Sequence, residues 1–313
     1  MRLKIGITLL GLLIPGLLYG QAKVGTAGAQ FLELGVSARA NGMGDAFVAV
    51  ANDATATWWN PAGLAYGLSF ADFTAEIDQH GGRAIAVGFP SLGVSYYHRN
   101  ISQIQPSNST ETGGSGRQDL GAVGSGLPAS ESVGVDQMGV TVGQSFGGHF
   151  VIGSTLKLDR AKSNTRGDLD IGAMASLGFV RLGIVMRDVT EPAFGSGSDT
   201  LVLPRRARAG AAVVAPSQGR LEQLTLAVDA DLTTATVAGG DERAVSAGAE
   251  AWIRGGRIGV RGGVGKNTVG AGGSFGAFGL SVAPYSKVFV EGFVTRGESG
   301  TRDRWGIDLR LAF

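Results

Sequence analysis

The residues that could carry catalysis in this 313-residue chain are few and widely spaced. The three histidines, His80, His98 and His149, lie far apart, with no Asp or Glu at metal-ligand spacing. The chain has no cysteine, which excludes a thiol nucleophile, a thiolate metal site and a disulfide. No motif singles out a serine nucleophile with its base. We therefore predict a non-enzyme with no cofactor and no metal.

Two glycine-rich stretches could be mistaken for nucleotide-binding loops. The stretch "GGVGKN" at 262–267 has Asn267 where a phosphate-binding loop needs Ser or Thr, and the upstream Gly is missing at the required spacing. The stretch "GMGDAF" at 42–47 lacks the last Gly of a dinucleotide fingerprint and follows no strand of a βαβ unit. Neither stretch predicts a nucleotide site.

The amino terminus predicts export. Arg2 and Lys4 precede a long apolar run, and small residues follow at Gly20 and Ala22. This order is typical of a secretory signal peptide over 1–20, with cleavage after Gly20 or Ala22. Removing the two cationic residues takes the formal net charge from +1 to −1. A weakly negative mature chain argues against a nucleic-acid partner.

Most of the remaining sequence alternates between apolar and polar residues. In the final stretch, "RWGIDLRLAF", large apolar side chains occupy every second position, and Arg304, Asp308 and Arg310 lie between them. The same pattern recurs in segments of about ten residues, the length of a tilted membrane strand. Turn-forming clusters such as "RGGR" at 254–257 separate these segments.

Two architectures fit this alternation. In a soluble sandwich the apolar faces meet in a core, whereas in an outer-membrane barrel they face lipid and the charges line the lumen. The many opposite charges on the polar faces suit a lumen, and inward Gly and Ala would let a narrow barrel admit an inserted segment. We predict an all-β fold, a transmembrane antiparallel β-barrel of about 14 strands over 68–313, in contact with outer-membrane lipid. A long Ser- and Gly-rich loop is expected at about 99–137, and a secreted soluble β protein is the alternative.

Residues 21–67 break the alternation and suit short helices or irregular backbone. In a barrel such a segment is a candidate plug, because a lumen can hold irregular backbone that lipid cannot. Arg39 and Asp53 could pair to pin the plug, or could bind a ligand head group. Trp58 and Trp59 could line a hydrophobic passage, although we expect them to anchor the plug at the barrel mouth or at an interface.

The stretch "LGVSARANGMGDAFVAVANDATATWWNPAGLA" at 34–65 resembles the amino-terminal signature of the PorV/PorQ family. Members of that family are exported outer-membrane proteins related to the FadL-type long-chain fatty-acid channels. The residues that form the hatch motif are Arg39, Gly42, Gly44, Asp53, Trp58, Trp59, Asn60, Pro61, Ala62 and Gly63.

This resemblance implies a FadL-like barrel in the bacterial outer membrane, closed by a short amino-terminal lumenal hatch. The terminal Phe313 resembles the signal that the barrel-assembly machinery reads for insertion. A PorV/PorQ-type barrel would act in type IX protein secretion or surface attachment, with secretion-system proteins or a cargo signal domain bound at its extracellular rim. The alternative that the resemblance leaves open is a FadL-like passive channel for small hydrophobic compounds.

Overall fold

A computed structural model describes residues 35–68, 70–103, 131–196, 200–215, 219, 221–237, 240–269, 273–298 and 302–313. The predicted signal peptide at 1–20 and the first part of the predicted plug lie outside these ranges. Within the described ranges, every helix is too short or too polar to cross a membrane.

The chain forms a closed antiparallel β-barrel of 14 strands, which confirms the predicted fold class and strand number. Each strand pairs with its neighbours in the sheet, and the first and last strands close the barrel, with Phe73 opposite Leu311. Two short hairpins, β8–β9 (Ala193–Phe194, Leu201–Val202) and β12–β13 (Ala235–Val237, Gly240–Glu242), lie in connections outside the barrel wall. The barrel strands are β1 (Asp72–Asp78), β2 (Arg83–Phe89), β3 (Leu92–Gln103), β4 (Glu131–Phe146), β5 (Phe150–Ala161), β6 (Asn164–Leu177), β7 (Val180–Arg187), β10 (Arg206–Ala215), β11 (Leu221–Asp231), β14 (Ala244–Ile253), β15 (Ile258–Asn267), β16 (Ser274–Tyr285), β17 (Val288–Gly297) and β18 (Arg304–Ala312).

The apolar side chains of the barrel strands point outward, as predicted. On β11, Leu226 is 50% exposed whereas its neighbour Thr225 is fully buried in the lumen. On β18, Ile307 is 47% exposed and Asp308 is fully buried. An apolar outer surface around a charged interior is the arrangement of a barrel that spans a membrane, and it is the reverse of a soluble sandwich.

The two ends of the barrel differ in the length of their connections. At one end the turns are short, as at 147–149 and 178–179. At the other end, β7 and β10 are joined by the stretch that carries β8 and β9, and β11 and β14 by the stretch that carries β12 and β13. Membrane barrels place short turns toward the periplasm and long loops outside the cell. We therefore refer to the end with the long connections as the extracellular end.

The long loop predicted at about 99–137 gives way to strand at both of its ends. The β3 strand continues to Gln103 and β4 begins at Glu131, so that Arg99 pairs with Val135 in the ladder. The alternation is weak in these two strand ends because polar residues also occupy positions on the outward face. Residues 104–130, which connect the two strands, lie outside the described ranges.

Replacing Leu226 with arginine is expected to destabilise the assembled barrel by about 2–4 kcal/mol, because Leu226 lies at the middle of β11 on the lipid-facing side. The same substitution at Leu232, which directly follows β11 at the extracellular end, should cost about 0–1 kcal/mol. Urea titration of the refolded protein in lipid vesicles measures both values. Equal costs at the two positions would contradict the assigned lipid-facing depth.

Candidate functional site

Residues 35–67, called the hatch here, occupy the barrel lumen. The hatch contains three short helices, α1 (Ala38–Gly42), α2 (Ala56–Trp59) and α3 (Gly63–Gly67). Helix α1 packs against β15 to β18, whereas α2 and α3 pack against the opposite wall, mainly β3 to β5. Almost every hatch residue up to Leu64 is buried. The described part of the predicted plug therefore lies inside the barrel and contacts both walls.

Local sequence explains why the hatch helices are short. Ser37 accepts a hydrogen bond from the Arg39 backbone N–H at 3.2 Å, which starts α1. Asn60 adopts an extended conformation after α2 (φ −164°), as the following Pro61 requires. The turn at Asn60 and Pro61 separates α2 from α3.

Arg39 lies at the centre of the contacts between hatch and wall. Its guanidinium binds both carboxylate oxygens of Glu250 on β14, with Nε–Oε1 at 2.8 Å and Nη2–Oε2 at 2.7 Å. Its third nitrogen lies 3.1 Å from Asp53, so the predicted pair with Asp53 is present. Burial acts to lower the pKa of Arg39, but Glu250 and Asp53 outweigh it and raise the pKa above its usual value. Arg39 is therefore a permanent cation that joins two parts of the hatch to the wall.

The Arg39 contact continues into an ion network along the wall. Glu250 also accepts a hydrogen bond from Arg261 on β15 at 2.8 Å. Arg261 lies 3.4 Å from Glu291 on β17, which in turn accepts a hydrogen bond from Ser281 at 2.7 Å. Because each carboxylate in this network has more than one donor, the desolvation cost of these buried charges is largely offset.

Carboxylates on the wall also satisfy the irregular backbone of the hatch. Asp229 on β11 accepts hydrogen bonds from the backbone N–H groups of Phe47 and Val48, at 2.8 and 2.9 Å. Three more wall carboxylates bind hatch N–H groups in the same way: Glu76 to Ser37, Asp308 to Ala38 and Asp72 to Ala54. Backbone outside regular helices and strands needs such partners when it is buried. The inward acidic residues therefore form a receptor for the hatch backbone.

Asp229→Ala is expected to weaken hatch docking by about 1–3 kcal/mol, because it leaves two buried N–H groups without an acceptor. Asp229→Asn should cost less, since its amide oxygen can still accept these bonds. Protection of the hatch from protease in detergent should be highest in the wild type, lower in Asp229→Asn and lowest in Asp229→Ala. If the two variants lose equal protection, the backbone contact is not what Asp229 contributes.

Glycines on the inner wall let the hatch approach closely. A Cβ atom at Gly263 would lie 2.2 Å from the Met43 carbonyl carbon, and one at Gly183 would lie 2.6 Å from the Val48 oxygen. Both distances are too short for any real contact, so only glycine fits. Seven of the wall glycines that face the hatch are called the glycine belt: Gly153, Gly172, Gly183, Gly248 and Gly263, where an added Cβ would lie within 2.6 Å of a hatch atom, and Gly210 and Gly279, where it would lie within 3.2 Å. The prediction that inward glycines admit an inserted segment is confirmed.

The glycines of the hatch motif complete this close contact. Gly42 faces Gly279 of the belt, where an added Cβ would lie 2.9 Å from the Gly279 Cα. Gly44 has a positive φ of 66°, which favours glycine, and it lies against the backbone of Val264. Gly63 lies against the Ala51 carbonyl within the hatch. All three positions therefore require the absence of a side chain.

Asn60 joins the hatch to a further part of the wall. Its side-chain amide donates a hydrogen bond to the Val48 carbonyl at 3.0 Å and lies 3.3 Å from the Ala173 carbonyl of β6. Its side-chain oxygen accepts a hydrogen bond from the Ala62 N–H at 3.2 Å. Pro61 and Ala62 lie against Gly153 of the belt. This part of the motif thus packs directly on the barrel wall.

Trp58 and Trp59 lie enclosed in the lumen, without the wet end expected of a position at the barrel mouth or an interface. Both are at least 96% buried. The Trp59 indole donates a hydrogen bond to the Val36 carbonyl at 2.7 Å. The guanidinium carbon of Arg187 lies over the Trp58 ring, 4.0 Å from the centroid of that ring. The face of the Trp58 ring thus contacts a lumenal cation, and the Trp59 N–H has a backbone partner within the hatch.

A small cavity of about 50 Å³ lies between the hatch and the wall. Its charged lining includes Arg208, which lies 3.2 Å from Asp231, and Arg302, which lies 3.4 Å from Asp45 of the hatch. This volume holds only a few water molecules. A larger solute can therefore enter this cavity only if the hatch or these side chains move.

Phe313 follows β18 at the periplasmic end, where its ring is exposed and its N–H donates a hydrogen bond to the Ala71 carbonyl at 2.8 Å. Its recognition by the barrel-assembly machinery stays a prediction. The residues that sequence reasoning left out of the site are the wall carboxylates and the glycine belt. Their inward position in the alternation is the signal that could have identified them.

Solved structures with the same fold are FadL-type barrels. CymD, a monoaromatic hydrocarbon channel, superposes with a TM-score of 0.61 at 10% identity, covering 90% of this chain and 99% of CymD. The Ralstonia pickettii toluene transporter TbuX gives a TM-score of 0.60 at 11% identity, with 90% and 100% covered. A Pseudomonas aeruginosa FadL homologue gives 0.57 at 10% identity, with 93% and 99% covered.

Comparison at the level of sequence finds no further relationship. No protein-family model and no curated protein matches the chain. At about one identical residue in ten, the structural likeness establishes the FadL-like fold of a membrane barrel, and it leaves the solute and the partners to chemical argument.

Proposed function

We propose that this protein is a passive channel for small hydrophobic compounds in a bacterial outer membrane. The observation that carries the proposal is the closed 14-strand barrel, which matches CymD and TbuX over nearly the whole of each chain. CymD is a monoaromatic hydrocarbon channel and TbuX a toluene transporter. The apolar outer surface of the barrel suits a route by which such compounds cross the membrane.

In this proposal the hatch is the gate. The cavity beside it holds only a few waters, so a compound the size of toluene needs the hatch to shift. Apart from the backbone that continues into β1, the hatch is held by ion pairs and by hydrogen bonds to wall carboxylates, and the chain has no cysteine that could add a disulfide. Contacts of this kind can break and reform without unfolding the barrel strands, whose ladder hydrogen bonds are separate from them.

Uptake of radiolabelled toluene by cells with and without the protein tests the proposal. At low external toluene, cells that carry the channel should take it up several-fold faster, and uptake of glycerol, a small polar solute, should not change. Membrane fractionation of the same cells checks that the barrel is in the outer membrane. Equal toluene uptake with the folded barrel present would refute the channel function.

A second candidate is a PorV/PorQ-type role in protein secretion or surface attachment. Two observations favour it: the motif at 34–65, and a hatch that packs against both walls of the lumen. A barrel that only presents its extracellular rim to a secretion-system protein or cargo signal domain needs no open lumen. Deletion should then remove many exported proteins from the cell surface, and extraction in mild detergent should recover the barrel with a protein partner.

A further inference from the structure

Four aspartates meet inside the barrel near its extracellular end, away from the Arg39 network. They are called the acidic cluster here: Asp159 on β5, Asp168 and Asp170 on β6, and Asp188 directly after β7. Carboxylate oxygens of Asp159, Asp168 and Asp188 all lie within 4.8 Å of one another. Such proximity between like charges is costly unless cations lie among them.

One lysine neutralises part of the acidic cluster. The Lys157 ammonium lies 2.8 Å from Asp168, 2.8 Å from Asp170 and 2.6 Å from Asp188. Asp168 also accepts hydrogen bonds from the N–H and hydroxyl of Thr190, at 3.0 and 2.8 Å. Three of the four carboxylates therefore have close donors.

Asp159 is the exception. Its side chain is fully buried, and neither of its carboxylate oxygens has a well-aligned hydrogen-bond donor. Gln137, opposite it in the β4–β5 ladder, is the neutral polar side chain beside it and brings no charge. A buried carboxylate without a counter-charge either takes up a proton or binds a cation. One oxygen of Asp159 lies within 4.8 Å of an oxygen of Asp168 and of an oxygen of Asp188, so a bound cation would lie between these three residues.

The charge balance indicates the kind of group that is missing. Four carboxylates contribute −4, Lys157 contributes +1, and Arg187, which precedes Asp188 and stacks on Trp58, contributes +1. The formal sum of −4, +1 and +1 is −2. A single divalent cation would make the cluster neutral.

We propose that Asp159, Asp168 and Asp188 bind a calcium ion. Carboxylate oxygens are the ligands that Ca²⁺ prefers, and its flexible coordination geometry accepts carboxylates from three different segments of the chain. Mg²⁺ demands a near-ideal octahedron and is usually bound by one or two carboxylates with several retained waters. Bound calcium would tie the β5–β6 hairpin to the segment after β7, at the end of the barrel that faces the medium.

Calcium binding to the full-length protein in detergent tests the proposal. After treatment with EDTA, equilibrium dialysis against radioactive Ca²⁺ alone should show one ion per chain, with a Kd of about 10⁻⁴–10⁻³ M, the usual range for extracellular sites. Asp159→Asn should weaken binding at least ~10-fold, because it removes the carboxylate that has no other partner. Lys157→Gln should strengthen binding, because it removes the competing cation.

The matched control is Asp136→Asn. Asp136 is a partly exposed carboxylate on the adjacent strand β4, with Tyr96 and His98 as its partners, and the change should leave calcium binding unaltered. Heat-modifiable migration shows that each variant still forms the barrel. The proposal is overturned if the wild-type protein binds no Ca²⁺ at millimolar concentration, or if folded Asp159→Asn binds it as tightly as the wild type.

Discussion

Replacing Gly263 with alanine should expel the hatch from its docked position, whereas the same substitution at Gly262 should leave it in place. A Cβ at Gly263 would lie 2.2 Å from the Met43 carbonyl carbon and 2.3 Å from the Gly44 nitrogen, and both are backbone atoms that cannot rotate away. At Gly262, on the outer face, the only atom within reach of the new methyl is a carbonyl oxygen 4.0 Å away. We expect the free energy of hatch docking to weaken by about 1–3 kcal/mol for Gly263→Ala and by less than about 0.5 kcal/mol for Gly262→Ala.

This pair is informative because the two residues are adjacent on one strand and receive the same side chain. Limited proteolysis in detergent should cut the hatch of Gly263→Ala at protease concentrations that spare Gly262→Ala and the wild type. Heat-modifiable migration should be the same for all three, since the barrel ladder is intact. Equal protection of the two variants would mean that the belt does not hold the hatch.

The barrel could be predicted from the sequence because the pattern that specifies each strand lies within a short segment of the chain. Alternation over about ten residues fixes which face of a strand is apolar, and export with no apolar helical span then favours lipid outside. Thr225 and Leu226 lie on the faces that this argument assigns. The extent of β3 and β4 was less predictable, because polar residues near Arg99 and Val135 obscure the pattern although the ladder continues through them.

The hatch contacts could be predicted only in part because they join residues far apart in the chain. Arg39 and Asp53 are 14 residues apart, and their pairing was among the expectations. Arg39 and Glu250 are 211 residues apart, and alternation places Glu250 in the lumen without naming its partner. The surroundings of Trp58 include Arg187, a lumenal cation that is distant in the sequence.

The function was harder to predict than the fold because the residues of the motif at 34–65 dock the hatch. Arg39 binds the wall, Gly42 faces a belt glycine, and Asn60 reaches β6. Each of these residues is needed to close a lumen, whatever the barrel carries or binds. The motif therefore identifies a hatch-containing barrel, and it does not distinguish a secretion partner from a hydrophobic solute.

Replacing Arg39 with alanine should weaken hatch docking by about 3–5 kcal/mol, more than Gly263→Ala does. The change leaves Glu250 and Asp53 buried without this partner. Arg261 still binds Glu250 at 2.8 Å, which limits the cost on the barrel side. Arg39→Lys keeps the charge but cannot bind both oxygens of Glu250 in parallel, so it should lie between the wild type and alanine. The control is Arg296→Ala, which breaks an exposed, solvent-screened pair with Asp303 and should leave hatch docking unchanged.

Single-channel conductance and hatch proteolysis together distinguish a released hatch from a collapsed barrel. A released hatch gives faster cleavage within 35–67 and larger conductance, while heat-modifiable migration persists. Adding Asp53→Asn to Arg39→Ala should restore part of the lost protection, because it removes the buried charge that loses its cation, while the amide oxygen can still accept the Thr55 N–H. If the hatch of Arg39→Ala is as well protected as that of Arg296→Ala, the docking of the hatch does not depend on Arg39. The wall carboxylates and the glycine belt then hold the hatch without this ion pair.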